Sequence, residues 1–124
     1  DGDLKFISLE HFKFIVKRKM RLKNFRNFLI DGGEPLIHPQ IFAFLRFLQK
    51  NEIRPVIRTN ARMLANLDFC KKIGDYSDHI LVVDPADDEE KYEKITKVKG
   101  SWNQSRRGIR NWRTLGKKVV HFKP

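Results

Sequence analysis

A short segment after the first apolar run of the chain carries the residue types that a ligand site needs. Phe28-Leu29-Ile30 is followed by Asp31-Gly32-Gly33-Glu34-Pro35. The two glycines allow positive φ angles and a close approach of the backbone to a ligand, and Pro35 fixes the direction in which the chain leaves. The carboxylate of Glu34 can both pair with and hydrogen-bond an ammonium group. An ordinary strand-to-helix turn uses the same residue types, so the segment alone leaves both interpretations open.

Two further polar segments follow apolar runs in the same way. Arg58-Thr59-Asn60 comes after Pro55-Val56-Ile57, and Asp84-Pro85 comes after Ile80-Leu81-Val82-Val83. Short apolar runs of this kind are typical of buried parallel strands, and ligands bind at the carboxyl ends of such strands. The loops that are therefore expected at one edge of a sheet are 31–35, 58–61 and 84–86.

Between these runs, apolar residues recur at helical spacing. Ser8 is a favourable N-cap for the first helix, His38-Pro39 is expected to open the second, and Gly116 to end the last. The predicted helices are 8–22, 38–48, 63–73, 87–95 and 101–115, and the predicted strands are 28–30, 55–57, 80–83 and 119–122. This alternation predicts an α/β fold with a parallel sheet, in one domain over residues 1–124.

Several segments, in order, resemble the radical S-adenosylmethionine (radical SAM) superfamily. Residues 28–39 are similar to the second strand of that family, with its Gly-Gly-Glu-Pro turn and the Leu-x-His-Pro that follows. Ile57-Arg58-Thr59-Asn60 resembles the end of the third strand, where Thr-Asn-Gly is usual and Ala61 replaces the glycine. Val82-Val83-Asp84 resembles the end of the fourth strand. Later segments that resemble the family are Lys99-Gly100-Ser101-Trp102 and Gly108-Ile109-Arg110-Asn111.

This resemblance implies a partial parallel β/α barrel, similar to part of a TIM barrel, that binds S-adenosylmethionine (SAM). By the resemblance, Glu34 binds the methionyl ammonium group, and Gly32-Gly33 and Pro35 belong to the same cofactor-binding turn. Asn60 and Asp84 are expected near the ribose or the substrate. The reaction of the family is the reductive cleavage of SAM to a 5′-deoxyadenosyl radical.

Cysteine is scarce in this sequence, and the resemblance makes that scarcity informative. Family members carry a Cys-x-x-x-Cys-x-x-Cys segment after the first strand, whose thiolates hold the iron–sulfur (4Fe–4S) cluster that delivers the electron. The chain has a single cysteine, Cys70, which we expect to be a small buried apolar residue. The chain alone is therefore expected to be inactive, with no catalytic and no metal-ligating residue of its own.

Two functional interpretations remain open at this point. In the first, the chain is a segment of a longer radical SAM enzyme, and the complete parent protein supplies the 4Fe–4S cluster. In the second, it is a cluster-less, non-catalytic relative that binds nucleic acid or protein. Asp1-Gly2-Asp3 is similar to the exit from a cluster loop, which favours the first interpretation. The 124 residues are also too few for an eight-unit barrel, which takes about 200 or more.

The charge of the chain is strongly positive, with 26 Lys and Arg against 15 Asp and Glu. Residues 96–124 hold nine of these basic residues and no acidic one. Four arginines are predicted on one face of the last helix: Arg106, Arg107, Arg110 and Arg113. They form either a solvated surface or a surface for a polyanion, such as a nucleic acid, or for a protein partner.

Location and association are constrained by what the composition excludes. No apolar run reaches the roughly 20 residues that span a bilayer, and no signal peptide is visible, so we expect no membrane partner. A lone cysteine favours a reducing, cytoplasmic compartment. The strand at 28–30 is expected to expose an apolar sheet edge, through which copies of the chain can associate. The identity of the substrate is not predicted.

Overall fold

The computed structural model describes residues 6–22 and 28–122, and the segment Asp1-Gly2-Asp3, predicted to leave a cluster loop, lies outside them. The strands are β1 (Leu29–Ile30), β2 (Val56–Arg58), β3 (His79–Val83) and β4 (Lys118–Phe122). The helices are α1 (Leu9–Met20), α2 (Ile41–Lys50), α3 (Leu67–Gly74), α4 (Glu89–Thr96) and α5 (Ser101–Thr114), with 3₁₀ turns at Pro35–Ile37 and Met63–Ala65. None of the helices in the described ranges is long and apolar enough to cross a membrane.

The four strands form one parallel sheet in the order β1-β2-β3-β4. Ile57 of β2 pairs with Ile30 of β1 and with Ile80 of β3, and Ile80 also pairs with Val119 of β4. Paired residues point to the same face of a sheet, so these side chains share the face that carries the core. The parallel order confirms the predicted topology, and it brings the loops after β1, β2 and β3 to one edge.

The two faces of the sheet differ in what covers them. Helical side chains such as Phe44 and Trp112 are buried against the face that contains Ile57 and Ile80. The opposite face carries apolar side chains that are 40–55% exposed: Leu29, Val83, Val120 and Phe122. Helices on one face and apolar side chains on the other are the arrangement of a β/α barrel wall. In the described residues the wall is partial, as predicted.

Several helix ends match the predicted signals. The side chain of Ser8 caps α1 by accepting a hydrogen bond from the amide of His11 at 3.1 Å. Asp88 caps α4 in the same way, with the amide of Lys91 at 2.8 Å, and it belongs to the acidic run Asp87-Asp88-Glu89-Glu90, whose charge suits a helix start. Gly116, just beyond α5, has a φ of +78°, which suits the residue after a helix.

Two predicted helix boundaries are wrong, and local hydrogen bonds explain both. Pro39 does not begin α2, because the side chain of His38 accepts a backbone amide hydrogen and holds a turn before the helix. The helix predicted at 63–73 is interrupted at Asn66, whose side chain accepts the amide hydrogen of Phe69 at 3.0 Å and begins a new helix. Short polar side chains compete with helical backbone bonding in this way.

The start of α5 is fixed by a side chain from α4. Gly100 occupies the N-cap position in a left-handed conformation and provides no side-chain cap. The carboxylate of Glu93 instead accepts the amide hydrogens of Gly100 at 2.9 Å and of Trp102 at 3.3 Å. Ser101 is the first helical residue, and its hydroxyl bonds to that of Thr96 at 2.7 Å. The two consecutive helices are therefore joined at their junction by side chains.

Candidate active site

The loops after β1, β2 and β3 meet around an open groove at the carboxyl edge of the sheet, with a volume of about 360 Å³. The residues that line it are Gly33, Glu34, Arg58, Thr59, Asn60, Val83 and Pro85. Of these, Gly33, Glu34 and Asn60 are predicted site residues, whereas Arg58 and Thr59 are not. The sheet topology thus brings together the β1 and β2 loops, which the sequence predicts at one edge.

The carboxylate of Glu34 joins these two loops. Its oxygens accept hydrogen bonds from the Thr59 hydroxyl at 2.8 and 3.0 Å and from the backbone amide of Asn60 at 2.7 Å. Its Oε2 atom also accepts the amide hydrogen of Leu36 at 3.0 Å, at the start of the 3₁₀ turn that begins with Pro35. A carboxylate has about four acceptor positions, and Thr59 has one hydroxyl hydrogen to share between the two oxygens, so three donated hydrogens leave room for one more. The half-buried side chain can offer that position to a ligand in the groove.

The two glycines before Glu34 take backbone conformations that other residues rarely adopt. Gly32 has a φ of +90° and Gly33 a φ of +62°. No atom lies within 4 Å of the point where a Cβ would stand at either position, so the space beside them is open. Neither carbonyl accepts a backbone hydrogen bond from the residues that the structure describes. The glycines therefore set the loop conformation and leave two acceptors free.

An exposed ion pair stands beside the glycines. Arg58 Nη1 donates to Asp31 Oδ2 at 3.2 Å, and both side chains are more than 40% exposed. Asp31 Oδ1 also accepts the amide hydrogen of Gly32 at 2.6 Å. This backbone bond lowers the pKa of Asp31 below its ordinary value, with a smaller contribution from Arg58. The side chain of Arg58 is 46% exposed and lines the groove, so its other guanidinium donors are accessible to an anionic group there.

Helix α5 packs directly on the backbone of the β2 loop. The hydroxyl of Ser105 donates to the carbonyl of Asn60 at 2.9 Å. One turn later, a Cβ on Gly108 would lie 1.8 Å from the carbonyl oxygen of Ala61, so only glycine fits there. Asn111 continues the row and donates to the 3₁₀ turn after the loop. Helix α5 therefore fixes the position of the backbone amide of Asn60, which donates to Glu34.

Asp84 lies outside the groove, although the residues on either side of it line the groove. Its side chain is only 2% exposed. Oδ1 accepts a hydrogen bond from Arg106 Nη2 at 2.7 Å, and Oδ2 contacts His121 Nε2 at 2.5 Å. Asp84 therefore connects the end of β3 to α5 and β4. The structure does not bring its side chain together with Glu34 and Asn60.

Comparison with known protein families decides where this fold belongs. The pattern of the radical SAM superfamily matches residues 2–122, nearly the whole chain. The chain belongs to the radical SAM superfamily. The partial barrel of the described residues, with its four parallel strands, is accordingly part of a radical SAM barrel. A search of curated proteins found no match.

The radical SAM superfamily implies SAM as a cofactor, and the chemistry of the groove fits its methionyl end. That end carries one ammonium and one carboxylate group. Glu34 and the carbonyls of Gly32-Gly33 are acceptors of the kind that an ammonium group needs. Arg58 is a donor of the kind that a carboxylate needs.

The residues of this radical SAM chain do not fit a 4Fe–4S cluster. Such a cluster is held by several cysteine thiolates, and the sequence contains only Cys70. Cys70 is buried in α3, as predicted, and burial raises the pKa of its thiol to about 11. The described residues also contain no group of three His, Cys, Asp or Glu that could hold a metal ion.

Sequence reasoning misses the partners that hold this site. One sequence feature could have identified Thr59, namely its position directly after β2. A hydroxyl there can reach the residues that follow the neighbouring strand β1. Arg106 is predicted on the solvated face of α5 with the other arginines, but it is half-buried. Its guanidinium carbon lies 4.4 Å from the ring centre of Trp102, and its Nη2 atom contacts Asp84. The signal was the aromatic residue four positions earlier on the same helix.

Proposed function

We propose that these residues are the SAM-binding part of a radical SAM enzyme, and that the groove at the ends of β1 and β2 holds the methionyl end of SAM. The observation that carries the proposal is the fixed carboxylate of Glu34 beside two free glycine carbonyls. An ammonium group gains both charge pairing and hydrogen bonds from this arrangement, whereas a neutral ligand gains much less.

Residues in the groove and in the turn beside it have separate roles in the proposed complex. Glu34 and the carbonyls of Gly32-Gly33 accept hydrogen bonds from the ammonium group, and Arg58 donates to the methionyl carboxylate. Pro35 begins the turn that holds Glu34 in place. Asn60 uses its side-chain oxygen to accept the Arg62 amide hydrogen, which leaves its amide nitrogen to donate to the ribose or the substrate.

The chemistry of the proposed enzyme needs more than this chain. Bound SAM would supply the 5′-deoxyadenosyl radical of the superfamily, if an electron from a 4Fe–4S cluster of the parent protein cleaved it to that radical and methionine. The groove residues bind and orient SAM, and in this proposal the cluster ligands belong to the intact parent protein. A reducing, cytoplasmic compartment suits the free thiol of Cys70 and is part of the proposal. The alternative is a cluster-less relative that binds ligands without cleaving SAM.

Calorimetric titration of the purified chain with SAM tests the site. We expect Glu34→Gln to weaken SAM binding about tenfold, because a charge-assisted hydrogen bond contributes about 1.5–3 kcal/mol. Glu10→Gln, the same change at an exposed position of α1, is the matched control and should leave the affinity unchanged. Equal affinities for Glu34→Gln and the native chain contradict the proposal. So does equal binding of 5′-deoxyadenosine, which lacks the methionyl end.

A second experiment separates the enzyme from the cluster-less relative. The parent protein encoded by the full gene is reconstituted with iron and sulfide under anaerobic conditions, and 5′-deoxyadenosine is assayed after reduction. Formation of a cluster and of 5′-deoxyadenosine supports the enzyme. SAM binding with no cluster and no product supports the relative instead.

A further inference from the structure

Helix α5 carries a row of arginines on the side away from the core. Arg106, Arg110 and Arg113 are spaced by four and three residues, so they lie along one side of the helix. Arg107 is rotated from this row by about 100° around the axis, since a turn takes 3.6 residues. The row of three therefore differs from the four-arginine face that the sequence predicts.

This row borders an open groove between α5 and the edge strand β4. The groove has a volume of about 740 Å³. The residues that line this α5 groove are Arg106, Ile109, Arg110, Arg113, Thr114 and His121. No acidic side chain is among them. None of them lines the groove that contains Glu34, so the two grooves are separate places on the surface.

The positive charge of the α5 groove is not balanced by the described part of the chain. Asp84 pairs with Arg106 and contacts His121, which accounts for one of the three arginine charges. Arg110 and Arg113 are exposed, and neither forms an ion pair with a described residue. Residues 96–124 contain no Asp or Glu at all, so the positive potential extends beyond the groove.

Arg106 is held in place by its neighbours, and only part of its hydrogen-bonding capacity is used. Its guanidinium group is fixed by Asp84 and by the ring of Trp102. Within the described residues, its Nε atom is the buried side-chain nitrogen without a hydrogen-bond partner. An arginine that is already ordered loses little conformational entropy when it binds an anion. It therefore provides a fixed end to the row.

We propose that the α5 groove binds the phosphate backbone of a nucleic acid. The row from Arg106 to Arg113 extends about 10 Å along the helix, because each residue rises 1.5 Å. A line of cations of this length, in an open groove, suits a line of phosphates better than one small enclosed anion. Residues 96–124 hold nine basic residues and no acidic one, and a basic segment of this length favours a long polyanion over a short acidic peptide.

Fluorescence anisotropy with a labelled single-stranded RNA of about 20 nucleotides, measured against salt, tests this proposal. We expect log K to fall linearly with log salt. Substituting both Arg110→Gln and Arg113→Gln should reduce that slope by about 1.5 and weaken binding about tenfold at 0.1 M salt. The matched control carries Arg46→Gln and Lys50→Gln, two exposed basic residues on α2, and removes the same charge. Its slope should stay close to that of the native chain.

Several outcomes would overturn the proposal. One is the absence of RNA binding at low salt, and another is an equal loss in the α2 control, which would indicate only a diffuse basic surface. Competition by poly-glutamate as effective as that by unlabelled RNA would identify an acidic protein partner instead. Circular dichroism of both double variants checks that they remain folded, and the salt slope of the native chain tests the proposal without any substitution.

Discussion

The hydroxyl of Thr59 donates to both carboxylate oxygens of Glu34, at 2.8 and 3.0 Å, across 25 residues of sequence. The same hydroxyl accepts the amide hydrogen of Ala61 at 3.0 Å. One side chain thus sets the orientation of the carboxylate and closes the loop after β2. The two strand ends that form the candidate SAM site are coupled through this contact.

Removing the hydroxyl should weaken both SAM binding and the fold. Thr59→Val keeps the shape but deletes both the donor to Glu34 and the acceptor of the Ala61 amide hydrogen, so we expect a loss of about 1–3 kcal/mol in the free energy of unfolding. The carboxylate then loses its orientation, and the affinity for SAM should fall about fivefold. Urea denaturation and calorimetry measure the two effects. Thr59→Ser restores the donor and should restore the affinity; failure to do so contradicts a positioning role.

Replacing Gly108 should disrupt the packing between α5 and the β2 loop. In Gly108→Ala the new Cβ meets the carbonyl oxygen of Ala61, and backbone must move apart. We expect the free energy of unfolding to fall by about 2–3 kcal/mol, although alanine is the better helix former. Arg107→Ala, next to it but exposed, is the control and should change stability by less than about 0.5 kcal/mol. A stabilised Gly108→Ala variant would show that the approach is not this close.

Asp84 should contribute to stability more than to ligand binding. Asp84→Asn leaves Arg106 without its charged partner in a buried setting. We therefore expect the free energy of unfolding to fall by about 2–4 kcal/mol. Asp78→Asn is the matched control, because Asp78 also bonds two basic side chains but is half-exposed. It should lower the free energy of unfolding by less than about 1 kcal/mol. The SAM affinity of folded Asp84→Asn should stay within about threefold of the native value. A large loss of affinity at unchanged stability would place Asp84 in the binding site.

The buried thiol of Cys70 should make the fold sensitive to alkaline pH. Burial raises its pKa from 9.0 to about 11, so the unfolded chain loses the thiol proton before the folded chain does. The stability that Cys70 contributes is complete below about pH 9 and declines as the pH rises to about 11, by at most roughly 2–3 kcal/mol. Urea denaturation at about pH 9 and at about pH 11 measures this decline in the free energy of unfolding. Cys70→Ala should lack this part of the decline, and equal declines would exclude the thiol as the cause.

Self-association, predicted through the β1 edge, should increase with salt. Leu29 of β1 is 49% exposed and adjoins the open apolar face of the sheet. The net charge of +11 keeps copies apart at low ionic strength, and salt screens that repulsion. Sedimentation velocity should show a monomer at about 0.05 M salt and larger species at about 0.5 M. Leu29→Lys should prevent this, and a monomer at every salt concentration contradicts the prediction.

The order of elements and the edge that carries the site are determined by local patterns. Ser8, Asp88 and Gly116 act at the helix ends as their residue types predict. The apolar runs become parallel strands because helices between them return the chain to the same sheet edge. These features depend on a few neighbouring residues, so sequence reasoning can reach them.

The contacts that orient the site depend on residues far apart in sequence, which pattern reasoning does not reach. Asp84 follows a strand and is polar, as a ligand-binding residue would be, yet Arg106 and His121 enclose it. Which of several polar groups a carboxylate meets depends on the rotamers and on the packing of three elements. Gly108 was an available signal, because a glycine inside a helix costs about 1 kcal/mol and usually marks a close approach.

Ala61 has a φ of +66° and is fully buried, at the position where the superfamily usually has glycine. The left-handed conformation costs alanine about 1 kcal/mol, while burial of its methyl group returns about 0.8 kcal/mol. The two residues are therefore nearly equal in free energy at this point of the loop. Alanine can therefore replace glycine at position 61 without moving the backbone amide of Asn60. This departure from the family pattern is compatible with an intact site.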